Sequence, residues 1–191
     1  MIELSNPTYE ADHCMIDLET MGTDPYAPVI TIAACAMRLD NEDVIDDMFS
    51  VNISLESCMA LGMRPSASTI QWWLTGDKVP QSARELAFTS DAMPLPAALD
   101  TFTTWMNSRP LKVWGNSARF DCGLLGAAYK ICGKELPWTP WNERCYRTIK
   151  NLPGAKGISI QRFGVYHHAI DDAISQAMHL REINKALQLQ L

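Results

Sequence analysis

The sequence predicts a mixed α/β fold, a sheet covered by helices. Three observations point there. Three strand-like segments follow one another near the N-terminus with short links between them. After residue 65, helical periodicities alternate with one further short strand. The chain then closes on a long amphipathic segment, Ala169 to Leu187. Strands in succession, then strands alternating with helices, are the pattern of a mixed sheet with helices packed on it.

His13 to Glu19 (HCMIDLE) reads as the first strand. Val29 to Leu39 (VITIAACAMRL) is apolar almost throughout, as expected of a strand buried on both faces. Val44 to Ile53 follows the acidic link Asp40 to Asp43, so the three strands form an antiparallel meander. Ser66 to Leu74 reads as a helix with a polar start, and Gln81 to Ala87 as a second helical stretch. Pro94 to Met106 repeats apolar residues at helical spacing. Lys112 to Gly115 is a short strand and Phe120 to Cys132 a helix. Gly133 to Pro140 is a loop, since it contains two Pro and one Gly. Asn142 to Leu152 is expected to be helical, and Gly154 to Gly157 a flexible link. In the last segment Ile170, Ile174, Ala177, Leu180 and Ile183 form a helical apolar stripe.

The 191 residues suit one domain spanning 1–191 with a proper core. A hydrophobic fraction of 47% and a charged fraction of 20% are ordinary for a globular protein. No apolar run approaches the roughly 18 to 20 residues that a membrane-spanning helix needs. Met1 to Glu10 has neither a basic start nor an apolar stretch, so no signal peptide and a cytoplasmic location are expected. The six cysteines form no Cys-x-x-Cys pair and are read as reduced, without structural zinc. A net charge of -6 argues against a protein that coats duplex DNA, because phosphate neutralisation dominates such binding. It leaves room for a protein that grips a few nucleotides through metal ions.

Asp17 and Glu19 interrupt an apolar strand. Two residues apart on a strand, they point to one face. Paired carboxylates repel each other and resist burial unless a cation compensates, or unless the strand ends early and both are solvated. Asp121 follows the strand Lys112 to Gly115 and precedes an apolar helix, which fits either helix capping or a place at the carboxyl end of the sheet. Asp172 lies near the start of the last helix and His167 in the approach to it. Acidic residues there could serve the helix dipole. Taken together, four carboxylates could hold two hard divalent ions, Mg²⁺ or Mn²⁺, about 3.5 to 4 Å apart for in-line phosphoryl displacement. A histidine with a near-neutral pKa could take the proton of an attacking water.

These residues resemble the motifs of the DEDDh (DnaQ-like) 3′-5′ exonuclease superfamily. The first motif matches Asp17-Leu18-Glu19-Thr20, the second Asn116-Ser117-Ala118-Arg119-Phe120-Asp121, and the third His167-His168-Ala169-Ile170-Asp171-Asp172-Ala173. The surrounding sequence is most similar to phage and prophage exonucleases of the DexA type, which are related to a bacterial exoribonuclease group. The resemblance implies an RNase H-like fold, a mixed five-stranded sheet flanked by helices, and release of nucleoside monophosphates from a single-stranded DNA or RNA 3′ end. It implies that Asp17 bridges two metal ions and that Glu19 and Asp172 hold the ion that activates water. It further implies that Asp121 serves the second ion, that His167 is the general base, and that Thr20 and Met21 touch the terminal nucleotide. Of the pairings that the His167-His168 and Asp171-Asp172 doublets allow, His167 with Asp172 fits the superfamily's spacing.

Asn116, in the second motif, is a candidate substrate contact. Phe120 could pack under the substrate or in the core. Trp72 and Trp73 diverge by about 100° on a helix, so one of them could stack on a base; Trp73 is carried as the candidate. Arg144, Arg147 and Lys150, at three-residue spacing, could share a helical face and contact phosphates, or form a solvated basic face. A homodimer is compatible with this reading. The competing functions are an exoribonuclease that trims short oligonucleotides, a non-catalytic nucleic-acid-binding module of the same fold, and a protein that acts by binding a partner.

Overall fold

The computed structural model describes residues 11–40, 45–77, 79–106 and 109–191. The stretch Met1 to Glu10, residues 41–43 of the acidic link and Val44, expected to open the third strand, lie outside the described residues.

The chain opens with β1 (His13–Thr20), β2 (Val29–Met37) and β3 (Ile45–Asn52), paired antiparallel as the meander predicts. Asp17 sits opposite Ala33, and Ala34 opposite Phe49. β4 (Lys112–Gly115) then adds parallel to β1, and β5 (Glu143–Cys145) parallel to β4. The five strands run in the order β3-β2-β1-β4-β5, the mixed sheet expected of an RNase H-like fold. β2 is buried along its whole length, as its unbroken apolar sequence requires.

Two helical layers cover the sheet. On one face α4 (Leu95–Met106) and α5 (Asp121–Ile131) set Leu99, Phe102, Leu125 and Ala128 against Cys14, Ile16, Leu18 and Ile32. On the other face α7 (Ala169–Leu187) sets Ala173, Ala177, Leu180 and Ile183 against Met15, Cys35, Met37 and Trp114. Each fully buried Leu or Ile contributes roughly 1.5–3 kcal/mol. A third cluster joins α2 (Ala67–Thr75) and α3 (Gln81–Ala87) to the strand ends through Trp73, Ala83, Met21 and Ile30. The polar start read for α2 is its cap: the Ser66 hydroxyl accepts the Thr69 N–H at 3.2 Å. All six cysteines are free. Among the described residues no helix is long and apolar enough to cross a membrane.

One expectation fails. Asn142 to Leu152 is not a single helix: a 3₁₀ turn at Pro140–Asn142 leads into β5, and only Tyr146–Lys150 is helical (α6). A three-residue strand is too short to imprint a period-two pattern. It forms because Val113 and Trp114 of β4 offer it a pairing edge about thirty residues away. Arg144 therefore lies on a strand while Arg147 and Lys150 lie on α6, so the three cations share no helical face. The short helix α1 (Leu55–Ala60), capped by Ser54, was also not anticipated.

Candidate active site

Strand alternation places the carboxylates. Even-numbered residues of β1 (Cys14, Ile16, Leu18) pack towards α4 and α5. The odd-numbered face, which includes Met15, looks at α7 and also carries Asp17 and Glu19. α7 brings Asp172 to the same place in its first turn. β4 runs parallel to β1, so both open at one edge, and the chain leaving β4 delivers Asn116, Phe120 and Asp121 there.

At this edge lies a cleft of about 630 Å³ lined by Asp17, Glu19, Asp172, His167, Trp72 and Asn116, among others. Thr20, Phe120 and Lys150 also line it. Asp121 is 2% exposed and is not among the lining residues. It does not cap α5; it is the first helical residue, with its carboxylate turned back to accept the Ser117 N–H at 3.1 Å. This geometry needs Gly115, because a Cβ there would come within 2.7 Å of Asp121 Cβ and Oδ2.

The carboxylates strain against one another. Burial, then the charges of Asp121, Glu19 and Asp172, hold Asp17 well above the usual carboxylate range. Burial, then Asp172 and Asp121, do the same to Glu19. Burial lifts Asp121 to about 7, against the opposing pull of backbone N–H groups and the Arg147 charge. The Gln176 amide offsets part of this by donating to Asp17 Oδ1 at 2.7 Å. One ligand atom each from Glu19, His167 and Asp172 lie within 4.8 Å of one another. A crowded set of oxygen donors with a neighbouring imidazole fits hard divalent cations, whose charge would relieve the repulsion.

His167 is held in an uncommon way. Its backbone is left-handed (φ 62°), and its ring meets Trp72 edge-on at 4.9 Å and Tyr166 edge-on at 4.3 Å between centroids. The His167 N–H donates to Asp172 Oδ2 at 3.0 Å, while Arg162 donates to Asp172 Oδ1. Burial lowers the His167 pKa; the Asp172 charge works against that and the Arg162 charge with it. The two doublets pair crosswise, His167 with Asp172 and His168 with Asp171. His168 Nδ1 bonds Asp171 Oδ2 at 2.8 Å, and the same oxygen accepts the Val165 N–H at 2.8 Å. Neither His168 nor Asp171 lines the cleft.

Several expected substrate contacts lie elsewhere. Trp73 is 2% exposed and donates its indole N–H to Thr20 O at 3.0 Å, so it is a core residue; Trp72 is the cleft tryptophan. The Met21 side chain packs with Trp73 and Ile30, because the chain departs from strand register between Glu19 and Thr20 and turns it inward. Arg144 turns to Trp141 O and Glu143 O at 2.8 and 3.0 Å and, like the exposed Arg147, does not line the cleft. Lys150 does, with Nζ 3.4 Å from Asn116 Oδ1. Arg162, Tyr166 and Gln176 were missed. Gln176 was within reach, since it follows Asp172 by one helical turn on the same face. Nothing local marks Arg162, a loop residue.

The family model of the Rv2179c-like 3′-5′ exoribonuclease domain matches residues 12–184. Among curated protein sequences, none matches. The nuclease domain of 3′hExo, a DEDDh family member bound to rAMP, superposes with a TM-score of 0.61 at 14% identity, covering 92% of this chain and 93% of that one. E. coli exonuclease I in complex with a 5cy-dA13 oligonucleotide gives 0.63 at 17% identity, over 93% of this chain and 41% of that one. Cell-death related nuclease 4 gives 0.52 at 16% identity, over 90% and 63%. Family match and acidic cleft together define a 3′-5′ exonuclease, built on the fold seen in 3′hExo and exonuclease I. Within that class, the chain belongs to the Rv2179c-like 3′-5′ exoribonuclease domain family. The DexA type is not singled out by these matches.

Proposed function

We propose that this single-domain exonuclease removes nucleoside monophosphates from single-stranded 3′ ends, with RNA as its main substrate, using two divalent cations, Mg²⁺ or Mn²⁺. The observation that carries the reading is the convergence of Glu19, His167 and Asp172 within 4.8 Å beside Asp17 on the cleft wall. Asp17, Glu19 and Asp172 would hold the cations from within the cleft, with Asp121 acting from beneath. When bound, the cations would polarise the phosphate and lower the pKa of a bound water.

The remaining chemistry belongs to the chain. His167, kept neutral by burial, is free to accept the proton of the attacking water. Its backbone N–H is tied to Asp172, so base and carboxylate move together. Trp72 offers an aromatic surface beside His167 for the terminal base. Asn116 and Phe120 border the path of the next nucleotide, and Lys150 supplies a cation for its phosphate. A narrow cationic contribution agrees with the net charge of -6 and favours a grip on few nucleotides.

The test is a time course on 5′-labelled single-stranded RNA and DNA of equal sequence, with Mg²⁺, Mn²⁺ or EDTA, beside Asp17→Asn. A ladder shrinking from the 3′ end, faster on RNA and absent in EDTA and in the variant, is expected. Cleavage that persists in EDTA would remove the metal from the mechanism. No cleavage of either strand would return the chain to a binding role.

A further inference from the structure

Arg162 stands between the carboxylates and the loop that carries His167. Its Nη2 donates to Asp172 Oδ1 and, at 3.1 Å, to Val165 O. Its guanidinium carbon lies 4.3 Å from the centre of the Tyr166 ring, which in turn abuts His167 at 4.3 Å. Asp172 closes the circuit by accepting the His167 N–H at 3.0 Å. Arg162 lines the cleft, and among the described residues it is a cation in direct ion pair with one of the four carboxylates of the site.

We propose that Arg162 is a built-in counter-ion that competes with the divalent cation for Asp172. This rests on the metal-centre reading above. A guanidinium donating to one oxygen of Asp172 takes up acceptor capacity that a metal ion needs. Its positive charge also repels a divalent ion placed between Asp172 and Glu19. Two features make the pair exchangeable rather than permanent. The Arg162 side chain is 33% exposed against 15% for Asp172, so the arginine has a way out and the carboxylate stays. Among the described residues the buried Nε of Arg162 has no hydrogen-bond partner, so the docked position leaves a donor unsatisfied. With metal absent, the pair keeps Asp172 and the His167 loop ordered; with metal present, the ion takes over Asp172 and Arg162 is released. The consequence is a site that fills only at higher metal concentration than its four carboxylates alone would require.

The test measures metal binding and not turnover. Free Mn²⁺ is followed by electron paramagnetic resonance as metal-free full chain is titrated. Wild type is compared with Arg162→Met, which keeps the stem and removes the charge, and with Arg162→Lys, which keeps the charge. Arg162→Met is expected to bind Mn²⁺ about tenfold more tightly and Arg162→Lys to stay near wild type. In thermal unfolding, Arg162→Met should melt below wild type without metal and gain more than wild type when Mn²⁺ is added. Arg162→Gln carries the same comparison if Arg162→Met does not fold. Binding that is equal to or weaker than wild type in the uncharged variants overturns the counter-ion role alone. Absence of Mn²⁺ binding in wild type and variants overturns the metal centre, and this inference with it.

Discussion

Gln176 donates its side-chain amide to Asp17 Oδ1 at 2.7 Å, joining the last helix to the first strand across 159 positions of sequence. Its Oε1 is buried and has no hydrogen-bond partner among the described residues. The bond orients one oxygen of the carboxylate at the heart of the site. Replacing Gln176 by Leu keeps the volume and removes the donor. Turnover should fall about 10- to 100-fold, the usual cost of losing a group that orients a metal ligand. Stability should change by only about 1 kcal/mol, because removal of the orphaned Oε1 offsets part of the cost of the bond lost at Asp17. Steady-state kinetics and thermal unfolding on the same preparation check both.

His167 and His168 are neighbours with different surroundings: His167 faces the cleft, and His168 is bound to Asp171. His167→Ala should reduce turnover by about 10²- to 10⁴-fold, the range for loss of a general base. His168→Ala should spare most activity and cost on the order of 1 kcal/mol of stability through the lost Asp171 bond. Equal loss of activity in both folded proteins would contradict the pairing of His167 with Asp172.

The adjacent tryptophans should separate binding from folding. Trp72→Ala should weaken binding of a short single strand by roughly 1–3 kcal/mol with little change in stability. Trp73→Ala should instead destabilise the fold by about 3–5 kcal/mol, as for a large aromatic removed from a core. Fluorescence anisotropy of a labelled oligonucleotide reads the first, and denaturant unfolding the second. A binding defect confined to Trp73→Ala would reverse the assignment.

His13, which does not line the cleft, predicts a pH effect on stability. It is 1% exposed, its Nδ1 accepts the Trp114 indole N–H at 2.9 Å, and Nε2 lies 3.3 Å from Asp12 Oδ2. Burial, opposed by Asp12, lowers its pKa to about 4. Protonation would set a second donor against the Trp114 N–H. In the window between about 6.5 and 4 the unfolded chain binds the extra proton, so this contribution is intact above pH 6.5 and falls by roughly 1.4 kcal/mol per unit as pH drops. Asp17, Glu19 and Asp121 have raised pKa values, so their contributions have the opposite sign. The quantity to measure is therefore the difference between wild type and His13→Gln in urea unfolding at pH 7.5 and 4.5. The gap should narrow at the lower pH; a constant gap would show that His13 does not titrate in this window.

The three-stranded meander, the burial of β2, the stripe of α7 and the four carboxylates are legible along the chain, because each is written in contiguous residues. Alternation along β1 puts Asp17 and Glu19 on one face, and a helical repeat puts Ile174, Ala177 and Leu180 on one side, whatever lies across from them. What lies across was decided only in three dimensions. β5 exists because β4 offers an edge, and its three residues carry too little pattern to be read alone. The irregularity at Glu19–Thr20 turns Met21 into the core, and the rotation of α2 against the sheet buries Trp73 while leaving Trp72 in the cleft. The loop before α7 brings Arg162 onto Asp172. Periodicity reports which residues share a face of one element; it carries no information on how far that element is turned against the next. Long-range packing sets that rotation, and with it which side chains meet at the carboxylates.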